Sequence, residues 1–126
     1  MLPVTVVIMN LKIQSLKPKL DILTVDTQSF DVLVFTETWL SSNVSDEDVE
    51  IPKNKKPFRF DRNDRIGGGV AIYVRDTMHA IPRNDRQSNG VEVEIHVCQR
   101  KLLVSGIYRP PNSNNTQWLN MEHSLD

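Results

Sequence analysis

Apolar positions in this chain fall into short β-branched runs separated by polar stretches. Val4-Thr5-Val6-Val7-Ile8-Met9 is almost wholly apolar, the pattern of a strand buried on both faces. Ser15 then stands where it would cap a helix, with Pro18 in the first turn, where its missing N–H costs nothing. Leu16, Leu20 and Leu23 follow at i, i+4 and i+7 and form one apolar stripe. Val32-Leu33-Val34-Phe35 is a second run with both faces apolar, and such strands belong at the centre of a sheet. Strand, helix and strand over this distance predict a βαβ unit.

Residues 41–57 are polar and charged and read as a long surface loop. Asp46-Glu47-Asp48 and Glu50 come first, and residues 53–65 then carry six basic and two acidic side chains. That basic stretch is either a solvated loop or a phosphate-facing one. Val70-Ala71-Ile72-Tyr73-Val74 is the next strand. Val91, Val93, Ile95 and Val97 alternate with Glu92, Glu94 and His96, the period-2 mark of a strand with one wet face. Leu102-Leu103-Val104 opens another strand, expected to run to about Tyr108. The short connections predict antiparallel pairing. Thr116 is placed as an N-cap, and Trp118, Met121 and Leu125 have the spacing of a helical stripe. A helix without a C-cap at the chain end makes a truncated domain the expectation.

Composition bounds the picture. The 126 residues make one domain at most. Fractions of 39% hydrophobic and 25% charged residues are those of an ordinary globular chain. A net charge of −1, from 15 basic and 16 acidic side chains, leaves no global footprint for nucleic acid, so such contact must rest on a local patch. No apolar run approaches the ~20 residues of a membrane span. Cys98 is the only cysteine, which excludes an internal disulfide framework and a cysteine-based zinc site and points to an intracellular chain.

Glu37 follows the second apolar run directly, and strand ends in α/β sheets are where side chains leave the core for a crevice. A carboxylate there suits Mg²⁺, which takes oxygen ligands and usually one or two protein carboxylates; the alternative is a turn-capping Glu. Gly67-Gly68-Gly69 lacks the Lys-Ser/Thr of a phosphate loop and precedes its strand, so a tight turn is the better account. Tyr108-Arg109-Pro110-Pro111 places a hydroxyl and a guanidinium at a strand end, facing phosphate or simply capping the strand. His79, His96 and His123 show no metal-pair spacing and read as surface histidines. Cys98 reads as a small, at least half-buried filler. There is no nucleophile elbow.

Ser15-Leu16-Lys17-Pro18-Lys19-Leu20, residues 31–40, Asp61-Arg62 with Asp64-Arg65, residues 67–75 and residues 108–113 follow one another in a familiar order. In that order the chain resembles the endonuclease domains of non-LTR (jockey-like) retrotransposons, a branch of the exonuclease–endonuclease–phosphatase superfamily. The resemblance spans nearly the whole chain and corresponds to the first half of that domain. It implies an α/β fold, a two-layer β-sandwich flanked by helices, that hydrolyses DNA phosphodiesters with Mg²⁺ or Mn²⁺. It makes Glu37 the metal ligand and Tyr108 a group lining the site beside the scissile phosphate, with Arg109, Arg62 and Arg65 as phosphate or nucleic-acid contacts. It also implies a longer polyprotein with a reverse transcriptase, and action in the nucleus.

Two family segments have no counterpart among these residues: a Gly-Asp-Phe/Trp-Asn segment and an Asp-His pair, which position and activate the nucleophile. The family's first-strand Asn corresponds to Lys12 here, while Asn10, two residues earlier, falls on the same strand face and is the candidate substitute. A Lys⁺ about 4 Å from Mg²⁺ would repel it by at most ~8 kcal/mol at an effective dielectric of about 20. The expectation is therefore a retroelement endonuclease fragment that is inactive by itself. The competing expectations are a non-catalytic remnant binding nucleic acid weakly through residues 53–65, and another phosphodiesterase or phosphatase branch of the superfamily.

Overall fold

The computed structural model describes residues 5–62, 67–83 and 90–107, together with the backbone of Trp118–Leu125. The element order is β1 (Ile8–Lys12), a 3-10 turn (Lys17–Lys19), α1 (Leu20–Asp26), β2 (Val32–Thr36), a second 3-10 turn (Glu47–Val49), β3 (Phe58–Phe60), β4 (Val70–Val74), β5 (His79–Arg83), β6 (Gly90–Val97), β7 (Arg100–Ile107) and β8 (Trp118–Leu125). Two four-stranded sheets result, ordered β1-β2-β4-β3 and β5-β6-β7-β8. β1 and β2 are parallel, so the strand–helix–strand unit forms as its pattern predicts. The remaining ladders are antiparallel.

Every residue of β2 and β4 is buried, because both faces of the first sheet are covered. On one face Leu33, Phe35, Ala71 and Tyr73 pack under Ile13, Leu16, Leu23, Leu40, Val49 and Ile51. On the other, Val32, Val34, Ile72 and Val74 meet Val93, Ile95, Leu102 and Val104 of the second sheet. The architecture is a mixed α/β fold of two sheets sharing a core, with a helical and loop layer outside the first sheet. Among the described residues α1 is the one α-helix, and none is long and apolar enough to cross a membrane.

Several expectations change. β1 starts at Ile8 and lies at a sheet edge, with Asn10 to Lys12 exposed. Its apolar run packs on two sides without a second neighbouring strand: Met9 meets the outer core, and Val6 and Ile8 meet the core between the sheets. Ser15 is no cap. Its φ is +77, and the helical segment begins after Leu16 with no side-chain cap, Pro18 falling in the first turn as expected. Residues 41–57 are more than a surface loop, since Val49 and Ile51 are 0% and 1% exposed. The buried Tyr73 hydroxyl donates to the Val49 carbonyl at 2.6 Å, tying that loop to β4.

β6 and β7 form the expected hairpin, but β4 joins β2 and β3 in the other sheet. Short β3 and Pro82-containing β5 carry little strand signal, and both are edge strands, where such sequences are tolerated. Residues 118–125 form a strand rather than a helix, laid antiparallel along β7. Met121 and Leu125 share a helical stripe with Trp118 but also a two-residue period with Leu119, and an open edge on β7 decides between the two. Cys98 is exposed, and with Gln99 it forms the β6–β7 turn at φ +47 and +64. Both central residues therefore have the positive φ of a type I′ turn, so Cys98 fills no core space.

Candidate functional site

β1 and β2 are parallel and β4 is antiparallel to β2, so the end of β2 meets the start of β4. Glu37 sits there, half-buried, directly after Thr36. The backbone turns sharply, with Glu37 and Trp39 both at φ +57. Left-handed conformations cost non-glycine residues about 1–3 kcal/mol each and persist where the surroundings impose them. Here they are imposed from both sides. Ser15 N–H donates to Glu37 O at 2.9 Å and Leu16 N–H to Thr38 O at 3.0 Å, while Trp39 N–H donates to Gly68 O at 2.9 Å.

The same turn aims the carboxylate. Glu37 Oε2 accepts from the Trp39 indole Nε1–H at 2.9 Å and from the Gly68 N–H at 3.1 Å. Oε1 accepts no hydrogen bond from any described residue, so one oxygen is fixed and the other is open. A single anchored carboxylate with an open oxygen fits the donor set of Mg²⁺, which keeps several waters. Among the described residues no three or more His, Cys, Asp or Glu side chains are grouped for a metal.

Gly67 and Gly69 pack against the Glu37 segment, beside Trp39 and Thr38. Gly67, Gly68 and Gly69 all have positive φ. A Cβ on Gly69 would lie 2.4 Å from Thr38 Oγ1. Thr36 and Thr38, on either side of Glu37, are 3% and 1% exposed, and neither hydroxyl has a hydrogen-bond partner among the described residues.

Asn10 and Lys12 pair in register with Val34 and Thr36 and are exposed on the neighbouring strand. Asn10 makes no side-chain hydrogen bond to a described residue. Arg62 is half-buried and has an interaction partner. Tyr108, Arg109 and Arg65 lie outside the described residues. Trp39, Thr38 and Gly68 are the site residues that sequence reasoning missed. Trp39 is two positions from Glu37 in the same motif, and an indole N–H is a ready carboxylate donor.

The basic stretch is not a uniform exposed patch. Arg59 is 12% exposed and forks between Asp46 at 3.0 Å and Asp61 at 2.6 Å. It also donates to the carbonyls of Val44 at 2.8 Å and Ser41 at 3.1 Å. Burial works against its charge, but the two carboxylates outweigh that and raise its pKa. Lys56 pairs with Glu47 at 3.4 Å on the surface. No protein-family model matches the chain, and no curated protein does either.

Proposed function

We propose that this chain derives from a Mg²⁺-dependent DNA endonuclease of the non-LTR retroelement kind, with Glu37 as its metal ligand. On this reading the two facing sheets belong to an exonuclease–endonuclease–phosphatase sandwich. The observation that carries it is the Glu37 carboxylate, held through Oε2 by two donors with Oε1 left open at the end of a buried strand. The ordered motifs around it supply the branch.

Bound there, Mg²⁺ would stabilise charge on the phosphate and the leaving oxygen. Glu37 holds the negative oxygen in place, because its turn and both donors fix its direction before any ligand arrives. Asn10 offers a neutral amide from the adjacent strand. Lys12, exposed at the end of β1 and paired with Thr36, brings a positive charge to the strand next to the site, a sign that opposes cation binding. With no counterpart of the Gly-Asp-Phe/Trp-Asn and Asp-His segments among its 126 residues, the chain alone is expected not to nick DNA. Binding of nucleic acid through residues 53–65 has less support, since Arg59 and Lys56 are already engaged by Asp46, Asp61 and Glu47.

Mn²⁺ used as a paramagnetic probe tests the ligand. It should broaden the Trp39 indole N–H resonance, and Glu37→Gln should abolish that broadening. Broadening that is absent, or unchanged in Glu37→Gln, would remove Glu37 as the ligand. Mg²⁺-dependent nicking of supercoiled plasmid, lost in Glu37→Ala, would show instead that the chain is active by itself.

A further inference from the structure

The outer face of the second sheet carries a polar cluster that the Glu37 site does not use. β5 and β6 pair so that His79 lies directly opposite His96, although their sequence spacing shows no such pairing. The two rings meet edge to face, with centroids 5.2 Å apart and planes at 69°. Two imidazoles on one tetrahedral metal, at about 2.0–2.1 Å per nitrogen, hold their ring centres about 5 Å apart. The observed separation matches that of a shared ion and is equally the ordinary spacing of an edge-to-face ring pair.

Glu94 prepares one of the rings. His96 Nε2 lies 2.6 Å from Glu94 Oε2, and an ionised carboxylate only accepts, so in the neutral ring that contact calls for the tautomer with the proton on Nε2 and the lone pair on Nδ1. Arg83 donates to Glu94 Oε1 at 3.0 Å and fixes the carboxylate from its other side. A ring whose second nitrogen donates to a carboxylate is the arrangement of metal-binding histidines, where it fixes the tautomer and raises basicity. His79 makes no hydrogen bond to a described residue. Lys101, opposite His96 on β7, lies one strand further from His79.

We propose that His79 and His96 form a two-imidazole site for a divalent transition metal of the Zn²⁺, Ni²⁺ and Cu²⁺ class, with Glu94 as the positioning residue and water completing the shell. Imidazole selects these ions over Mg²⁺, so the site is chemically distinct from Glu37. An ion there clips the edge strand β5 to β6.

Calorimetric titration of the full 126-residue chain with Ni²⁺, repeated with Cu²⁺, tests this. One site is expected, tighter for Cu²⁺, weakened at least about tenfold in His79→Asn and about tenfold or more in Glu94→Gln. His79 is exposed, so His79→Asn should keep the fold, which far-ultraviolet circular dichroism checks. Cys98→Ser and His123→Asn should leave binding unchanged, and excess Mg²⁺ should not displace Ni²⁺. Unaltered affinity in His79→Asn, loss of binding in Cys98→Ser, or displacement by Mg²⁺ would each overturn the assignment. None of these outcomes depends on Glu37.

Discussion

Replacing Gly69 with alanine tests whether the glycines wall the Glu37 segment rather than merely turn the chain. At Gly69 φ is +96, and a Cβ would lie 2.4 Å from Thr38 Oγ1 and 3.3 Å from the Phe60 carbonyl oxygen. Gly67 has nearly the same φ, +100, but its Cβ would meet only Trp39 Nε1, at 3.8 Å. Both substitutions bring backbone strain of about 1–3 kcal/mol. Gly69→Ala alone adds a steric contribution, about 1–3 kcal/mol for an overpacked site. Thr38 is 1% exposed, so its hydroxyl cannot relieve the contact by turning out to solvent. Urea unfolding followed by circular dichroism should show Gly69→Ala less stable than Gly67→Ala by that steric part, at an unchanged denaturant slope. Thr38→Ala in the Gly69→Ala background should recover most of it. Losses for the two glycines that agree within about 0.5 kcal/mol would refute the wall, because that is the scatter of independent sites.

Arg59→Met should cost about 3 kcal/mol, the low end for a broken buried pair, because Asp61 stays 13% exposed while Asp46 is already 38% exposed; a loss under about 1 kcal/mol, the ceiling for most surface pairs, would reduce the fork to one of those. Ile51→Ala should cost about 2–5 kcal/mol in the same assay, and a near-neutral result would return residues 41–57 to the solvent. Burial raises the Tyr73 phenol well above its ordinary value of 10.0, with Asp46 adding to the shift and Arg59 opposing it. An unfolded tyrosine ionises near pH ~10 while this one does not, so stability is intact below that pH and falls by about 1.4 kcal/mol per pH unit above it. Tyr73→Phe should remove that alkaline slope, and an unchanged alkaline profile in the variant would show that Tyr73 is not its source.

Pattern reading succeeds where one local property dominates. Apolar runs 32–35 and 70–74 are buried strands because only a sheet covered on both faces accommodates them. Alternation in residues 91–97 places Val93 and Ile95 in the core for a similarly local reason. The position of Glu37 at a strand end is equally legible, since it follows from the last residue of an apolar run. The pattern misleads where two periods fit the same residues, as at 118–125, or where a few apolar side chains are diluted by charge, as with Val49 and Ile51.

By itself, then, the sequence determined that segments 32–35 and 70–74 must be buried, that a βαβ unit opens the chain, and that a carboxylate ends its central strand. Only the tertiary structure decided that Oε2 of that carboxylate is held by Trp39 and Gly68, since the two donors come from different elements. It likewise decided that Arg59 serves the fold, and that His79 and His96 stand side by side. Trp39 lies two positions from Glu37 and Asp61 two from Arg59, but Gly68, Asp46 and the two histidines reach their partners from far along the chain. Local propensity and periodicity carry no information about such pairings, which arise only when sheet register brings the partners together.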